Sequence, residues 1–212
     1  MTDDGRAAGG DADAEEDDSL TALATKRGME TKVYQPAEDS GLLASVASEH
    51  ARGVTLDVGT GSGYVAAKVR AETDARVVGS DVNPHACRAA RERGVEAVRA
   101  NLLAPFRDGA LDTVLFNPPY LPTDPENEWD DWMEQALSGG ESGRAFIEPF
   151  LADLGRVLAP GGQALLLVSS LAGYDEVLAL AHDAGFETED LRRESYPFET
   201  LSVVRLTPAG AQ

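Results

Sequence analysis

The stretch Leu111–Leu121, LDTVLFNPPYL, decides the fold and points at the chemistry. Thr113–Phe116 is a short apolar run rich in β-branched and aromatic residues, which reads as a buried strand. It stops at Asn117-Pro118-Pro119-Tyr120. Proline has no backbone N–H and pushes the residue before it out of the helical region, so the chain leaves the sheet in a stiff, extended turn. In open α/β sheets ligands sit beyond the carboxyl ends of strands, which is where this turn lies. An amide oxygen and a rigid carbonyl there can accept both hydrogens of a planar –NH2 group while an aromatic ring stacks on its face. Held in that way, the nitrogen lone pair points at an electrophile. A plain strand-ending turn would read the same over four residues, so the rest of the chain has to separate the two readings.

Working outward, the 212 residues suffice for one sizeable domain with a spare segment at one end. No apolar run approaches the ~18 residues that span a bilayer, and the N-terminus is acidic, unlike a secretory signal. Cys87 is the single cysteine, and His50, His85 and His182 are scattered, so no metal site is expected. The expected setting is the cytoplasm. Charge is extreme, with 37 acids against 18 bases. Met1–Asp18 carries eight acids and one Arg, leaving 29 acids and 17 bases for the remainder. Only Lys26, Lys32 and Lys68 are lysines. An acid-rich, lysine-poor surface fits solubility in concentrated salt, and an ordinary acidic protein is the other reading. Acidity argues against a polyanionic partner, although salt would screen that repulsion.

The segment 1–28 is Ala, Gly, Asp and Glu with few large apolar residues and reads as a disordered acidic extension. Residues 29–208 carry the domain, and 209–212 form a tail. Pro36, with acids Glu38 and Asp39 after it and Leu42, Leu43 and Val46 at helical spacing, marks a helix start. Val54–Gly59 is a strand followed by Thr60-Gly61-Ser62-Gly63-Tyr64 and a helix through Ala71. Gly59, Gly61 and Gly63 permit a tight turn and close approach of a ligand to the backbone. The dinucleotide fingerprint needs its third glycine one residue later, where Tyr64 stands, so a hydride-transferring enzyme is disfavoured. Arg76–Ser80 is the second strand, and Asp81 at its tip can accept both hydroxyls of a ribose or cap the helix that begins near Pro84. Val95–Arg99 is the third strand, with Asn101-Leu102 after it. Thr123–Gly143 reads as a polar loop with Trp129 and Trp132, either a substrate rim or a packing segment. Glu141–Leu158 is predicted as an amphipathic helix, Ala159–Gly162 as a turn, Gln163–Ser169 as the fifth strand and Tyr174–Ala184 as a helix. Glu187–Glu194 and Leu201–Leu206 follow as two final strands. Alternation followed by two strands means α/β with one antiparallel edge.

Asp57-x-Gly59-x-Gly61-x-Gly63, Asp81 and Asn117-Pro118-Pro119-Tyr120, in this order, resemble a class I S-adenosylmethionine-dependent methyltransferase. The resemblance implies a Rossmann-like seven-stranded sheet of order 3-2-1-4-5-7-6 with strand 7 antiparallel and helices on both faces. Enzymes that methylate planar nitrogens share the Asn-Pro-Pro-Tyr turn. Val33-Tyr34-Gln35-Pro36-Ala37-Glu38-Asp39-Ser40, Gly139-Gly140-x-x-Gly143-Arg144 and Glu199-Thr200-Leu201-Ser202-Val203 narrow the match. They resemble the HemK-related branch that methylates archaeal and eukaryotic class I translation termination factors on the glutamine N5 of Gly-Gly-Gln. That branch implies a small zinc-binding activator subunit along the strand 3 edge near Val95–Val98. The resemblance also implies that Gly59, Thr60, Gly61 and Gly63, with Asp57, form the cofactor loop and that Asp81 and Val82 lie by the ribose. Asn101 and Leu102 would flank the adenine, with Tyr34, Pro36, Glu38 and Ser40 closing over the cofactor. Asn117, Pro118, Pro119 and Tyr120 would hold the target amide, with no side chain acting as general base. Asn101 stands where relatives often carry Asp. The rivals are an amino-methyltransferase for adenine N6 or guanine N2, methylation of some other protein side chain, and a catalytically silent scaffold. The nucleic-acid enzyme would need a basic, aromatic-lined groove, and no Lys/Arg cluster surrounds Asn117–Tyr120.

Overall fold

The computed structural model describes residues 33–123 and 132–210, in which helices and strands alternate. In chain order they are α1 (Glu38–His50), β1 (Val54–Val58), α2 (Tyr64–Glu72), β2 (Arg76–Asp81), α3 (Pro84–Glu92), β3 (Glu96–Arg99) and β4 (Leu111–Phe116). Then come α4 (Trp132–Leu137), α5 (Ile147–Val157), β5 (Leu158–Ser169), α6 (Tyr174–Asp183), β6 (Phe186–Ser195) and β7 (Thr200–Pro208). The acidic segment 1–28, Trp129 and residues 211–212 of the tail lie outside the described residues. No helix described is long and apolar enough to cross a membrane.

The strands form one sheet in the order β3-β2-β1-β4-β5-β7-β6, with β7 antiparallel to both of its neighbours, as the resemblance implies. Because successive side chains in a strand point to opposite faces, the central strands feed two cores. Leu115, Leu165 and Leu167 join Leu43, Val46, Val65 and Val69 beneath α1, α2 and α3. Val114, Phe116, Leu166 and Val168 join Ile147, Phe150, Leu154 and Val177 beneath α5 and α6. Burial on both faces is why β4 and β5 read as continuous apolar runs. Phe116, the last residue before Asn117, is clamped by Phe150 with ring centroids 4.5 Å apart.

Four expectations need correction. The helix expected from Glu141 begins at Ile147, because Gly140 and Gly143 adopt left-handed φ of 70° and 73°. A Cβ at Gly143 would lie 2.7 Å from the Tyr120 carbonyl oxygen, so this glycine turn closes directly on the Asn-Pro-Pro-Tyr segment. The region 123–143 is not all loop: Trp132–Leu137, composed largely of good helix formers, makes a short helix. The cap of α3 is Asn83, whose side chain accepts from the His85 N–H at 2.9 Å, and not Asp81. Finally, β5 starts at Leu158. The Ala159–Gly162 turn is an excursion within it, between the pairs Leu111↔Leu158 and Thr113↔Gln163.

The Phe116–Phe150 contact generates a prediction. Phe150→Ala removes a wholly buried ring under the active strand and should lower the unfolding free energy by about 3–5 kcal/mol in a urea titration. A loss under about 0.5 kcal/mol, typical of a surface change, would contradict this packing.

Candidate active site

Strand register assembles the site. Val58 is paired with Ser80 on one side and Phe116 on the other, so Gly59, Asp81 and Asn117 leave the sheet side by side. Connections depart in opposite directions from β1 and β4, and such a reversal point opens a crevice beyond the strand ends. Here it is a cavity of about 930 Å³.

The glycine loop forms its floor. Thr60 N–H donates to the Ser80 carbonyl at 2.9 Å and Gly63 N–H to the Thr60 carbonyl at 2.8 Å. Gly59, Gly61 and Gly63 have φ of 64°, 53° and 78°, conformations that favour glycine. Their roles differ. A Cβ on Gly59 or Gly61 would meet nothing closer than 3.9 Å, so their bare backbone faces open space. A Cβ on Gly63 would lie 2.7 Å from Ala90 Cα, and Gly63 is not part of the cavity wall. It lets α2 pack on α3. Below the loop, Asp57 is 3% exposed and accepts from Thr60 Oγ1 at 2.6 Å and from the Ala66 N–H at the start of α2. Burial pushes its carboxyl up to about 7. Asp81 accepts from Gly61 N–H at 3.0 Å through one oxygen and from Asn83 N–H at 2.8 Å through the other. Burial raises its pKa as well. Val82, Asn101 and Leu102 line the adjoining wall. Leu102 is the one non-glycine residue with positive φ among those described, at 46°, and such strain concentrates at functional sites.

The opposite wall belongs to Asn117–Tyr120 and the chain before α1, where Tyr34, Pro36, Glu38 and Ser40 line the cavity. Two residues given no role from the sequence organise it. Asp39, 4% exposed, accepts from Asn117 Nδ2 at 3.0 Å, from the Tyr34 hydroxyl at 3.2 Å and from Ser40 Oγ at 3.2 Å. With its amide nitrogen anchored, Asn117 presents Oδ1, a buried acceptor with no partner. A buried unpaired acceptor is costly and calls for a donor. Glu199 accepts from Ser169 Oγ at 2.6 Å and from the Tyr120 hydroxyl, which fixes the ring. Burial, reinforced by the nearby carboxylates, raises both Tyr34 and Tyr120, which stay neutral donors. Both missed residues lie inside the quoted motifs, but Asp39 reads as a helix-start acid and Glu199 as a strand-flanking one.

Glu38, Asp39, Asp57, Asp81 and Glu199 line the cavity, and among the described residues no Lys, Arg or His does. Carboxylates beside bare glycine backbone suit a cationic sulfonium ligand that carries a ribose, and disfavour a pyrophosphate. The donor set therefore fits S-adenosylmethionine.

Asp57 also sets a pH dependence. Its folded pKa of about 7 lies above the ordinary carboxylate value, so the folded state holds this proton more tightly. Stability from this group is full at low pH and is lost as pH rises toward about 7. The melting temperature of Asp57→Asn relative to the parent should therefore rise between about pH 5 and pH 8. A difference independent of pH would contradict the burial argument.

Residues 35–136 match the methyltransferase small domain family. A Methanocaldococcus jannaschii protein named as a protein N5-glutamine methyltransferase is 32% identical over 182 residues, spanning 83% of this chain and 92% of that one. Human methyltransferase HEMK2 is 31% identical over 198 residues, with coverages of 85% and 92%. Among solved structures, Mtq2 from the E. cuniculi Mtq2–Trm112 complex superposes with a TM-score of 0.69 at 29% identity, covering 84% of this chain and all of that one. That complex is described as responsible for methylating the translation termination factor eRF1. With the sheet order, the glycine loop and the Asn-Pro-Pro-Tyr turn in place, the chain belongs to the HemK-related glutamine N5-methyltransferases, class I enzymes that use S-adenosylmethionine.

Proposed function

We propose that this chain methylates N5 of the glutamine in the Gly-Gly-Gln motif of the class I translation termination factor. The observation that carries the reading is the buried, unpartnered Asn117 Oδ1. It asks for an N–H donor, which a glutamine amide supplies and a carboxylate does not. The M. jannaschii relative is named for glutamine N5 and the E. cuniculi complex is described as methylating the eRF1 termination factor, which together support this acceptor and this substrate.

S-adenosylmethionine supplies an electrophilic methyl group. Gly59 and Gly61 admit its methionine part against bare backbone, with Thr60 and Asp57 holding the loop. Asp81 accepts the ribose hydroxyls, Val82, Asn101 and Leu102 surround the adenine, and Tyr34, Pro36, Glu38 and Ser40 close the other side. Asn117 Oδ1 takes one hydrogen of the target amide and the Pro118 carbonyl the other. Pro119 stiffens the turn, and Tyr120, tied to Glu199, packs on the amide plane. Orientation of this kind can contribute ~7–11 kcal/mol to lowering a barrier. The proton released after transfer leaves to solvent, with no general base required.

A small zinc-binding activator completes the enzyme as a heterodimer, paired along β3 near Val95–Val98. Support comes from the two-protein complex of the E. cuniculi relative. It comes also from β3 itself, a sheet edge where Val98 is 42% exposed. A nucleic-acid substrate fits less well, because a cavity lined by carboxylates, with no basic residue among the described ones, repels phosphate. The acid-rich, lysine-poor composition supports assay in molar potassium chloride.

Transfer of labelled methyl to the purified factor, with activator present, should occur with Gly-Gly-Gln and fail with Gly-Gly-Ala. Label on both would move the target elsewhere on the factor. Asn117→Ala should lose roughly two to three orders of magnitude in kcat, as when a preorganised hydrogen-bonding group is removed from an active site, while binding S-adenosylmethionine at most modestly more weakly. Turnover comparable to the parent would sink the assignment of Asn117.

A further inference from the structure

Four large apolar side chains are well exposed among the described residues: Val82, Val98, Leu171 and Phe198. Phe198 stands apart at 92% exposure. It sits at the tip of the β6–β7 hairpin, where Ser195 pairs with Thr200 and Tyr196 N–H donates to the Glu199 carbonyl at 2.7 Å. The connection is Tyr196–Glu199, closed by that bond around Pro197 and Phe198, and proline fixes its own φ, so the ring is carried on a tight turn. Thr200 N–H donates to Ser170 Oγ at 3.0 Å, which ties the hairpin to the turn carrying the exposed Leu171. Phe198 also lines the mouth of the cavity, and its neighbour Glu199 accepts from the Tyr120 hydroxyl. A rigid apolar knob is thus one residue away from the group that fixes the active-site tyrosine.

We propose that Phe198, with Leu171 on the turn bonded to the same hairpin, docks the polypeptide flanking the target glutamine, an inference that rests on the termination-factor reading above. The occupant follows from place and charge. The activator edge proposed at β3 is the opposite end of the sheet from β6. A nucleic acid would meet Glu38, Asp39 and Glu199 around the same mouth. A second copy of this chain would bring its own net charge of −19 to an acidic rim. A substrate loop that inserts a glutamine into the cavity must cross the hairpin tip and can cover the ring. A preorganised aromatic loses little conformational freedom on binding, so its burial appears as affinity.

The test is steady-state kinetics of Phe198→Ala and Phe198→Leu, each with the activator and the intact factor. Burial of one large apolar side chain corresponds to roughly 10–100-fold in affinity. Phe198→Ala should therefore raise KM for the factor by about that much. Its kcat, its dissociation constant for S-adenosylmethionine and its melting temperature should hold, and Phe198→Leu should recover most of the lost affinity. An unchanged KM in Phe198→Ala, with the parent active, would overturn the docking role and leave the reaction intact. A fall in kcat alone would also overturn it. A parent that neither methylates nor binds the factor would overturn the functional reading and this inference together.

Discussion

The hydrogen bond from Asn117 Nδ2 to Asp39 Oδ2 joins residues 78 positions apart and gives the active site its polarity. An asparagine side chain presents either an acceptor or two donors, depending on which way its amide is turned. A carboxylate beside it permits one orientation only, nitrogen toward Asp39, which leaves Oδ1 as the acceptor without a partner. Keeping that carboxylate charged at 4% exposure requires compensation. Tyr34, Ser40 and Asn117 all donate to it, and it lies in the first turn of α1, where the helix dipole favours a negative charge. The chain before β1 therefore sets the orientation of Asn117 and is more than a covering segment.

The sheet supplies the frame for this bond. The paired registers of Val58 bring the glycine loop, Asp81 and the Asn-Pro-Pro-Tyr turn to neighbouring strand ends. Behind them the Phe116–Phe150 contact fixes the strand that delivers Asn117, and Gly143 closes against the Tyr120 carbonyl. From the other end of the sheet, the β6–β7 hairpin brings Glu199 to Tyr120 and the exposed Phe198 to the cavity wall. Cofactor loop, amide clamp and rim thus come from three separate parts of the chain and meet only because the strand order interleaves them.

Much of this was legible in residue patterns. The β1, β2 and β4 strands announce themselves by apolar runs ending at Gly59, Asp81 and Asn117, each a residue type that strand propensity disfavours. The order of the strands came from the resemblance, since pattern alone does not reveal which neighbours pair. The start of α5 was misread because Ala145 and Phe146 continue a helical apolar pattern, whereas left-handed Gly143 answers to a contact with Tyr120 that no local window contains. Asp39 reads as an acid at a helix start, and no local pattern marks it as a partner of Asn117, 78 positions away. Glu199 comes near Tyr120 through the pairing of β7 with β5, which sets Leu201 opposite Ser169, so its role depends on a pairing that no local window contains.

Asp39→Asn is the most direct test of the account. The replacement has the same shape, but its –NH2 must stand in for Oδ2, which accepts from Asn117 and Tyr34, or for Oδ1, which accepts from the Ser40 backbone N–H at 2.5 Å. The Ser40 N–H cannot turn away, so the –NH2 goes to the Oδ2 side, where the pairing is satisfied only if Asn117 turns its own nitrogen away. We expect kcat for the Gly-Gly-Gln factor to fall by about 100-fold or more, as for loss of one preorganised polar contact, with the S-adenosylmethionine dissociation constant changed little. A kcat within about twofold of the parent, less than the typical effect of such a group, would show that Asp39 does not set the orientation of Asn117 and would contradict the account.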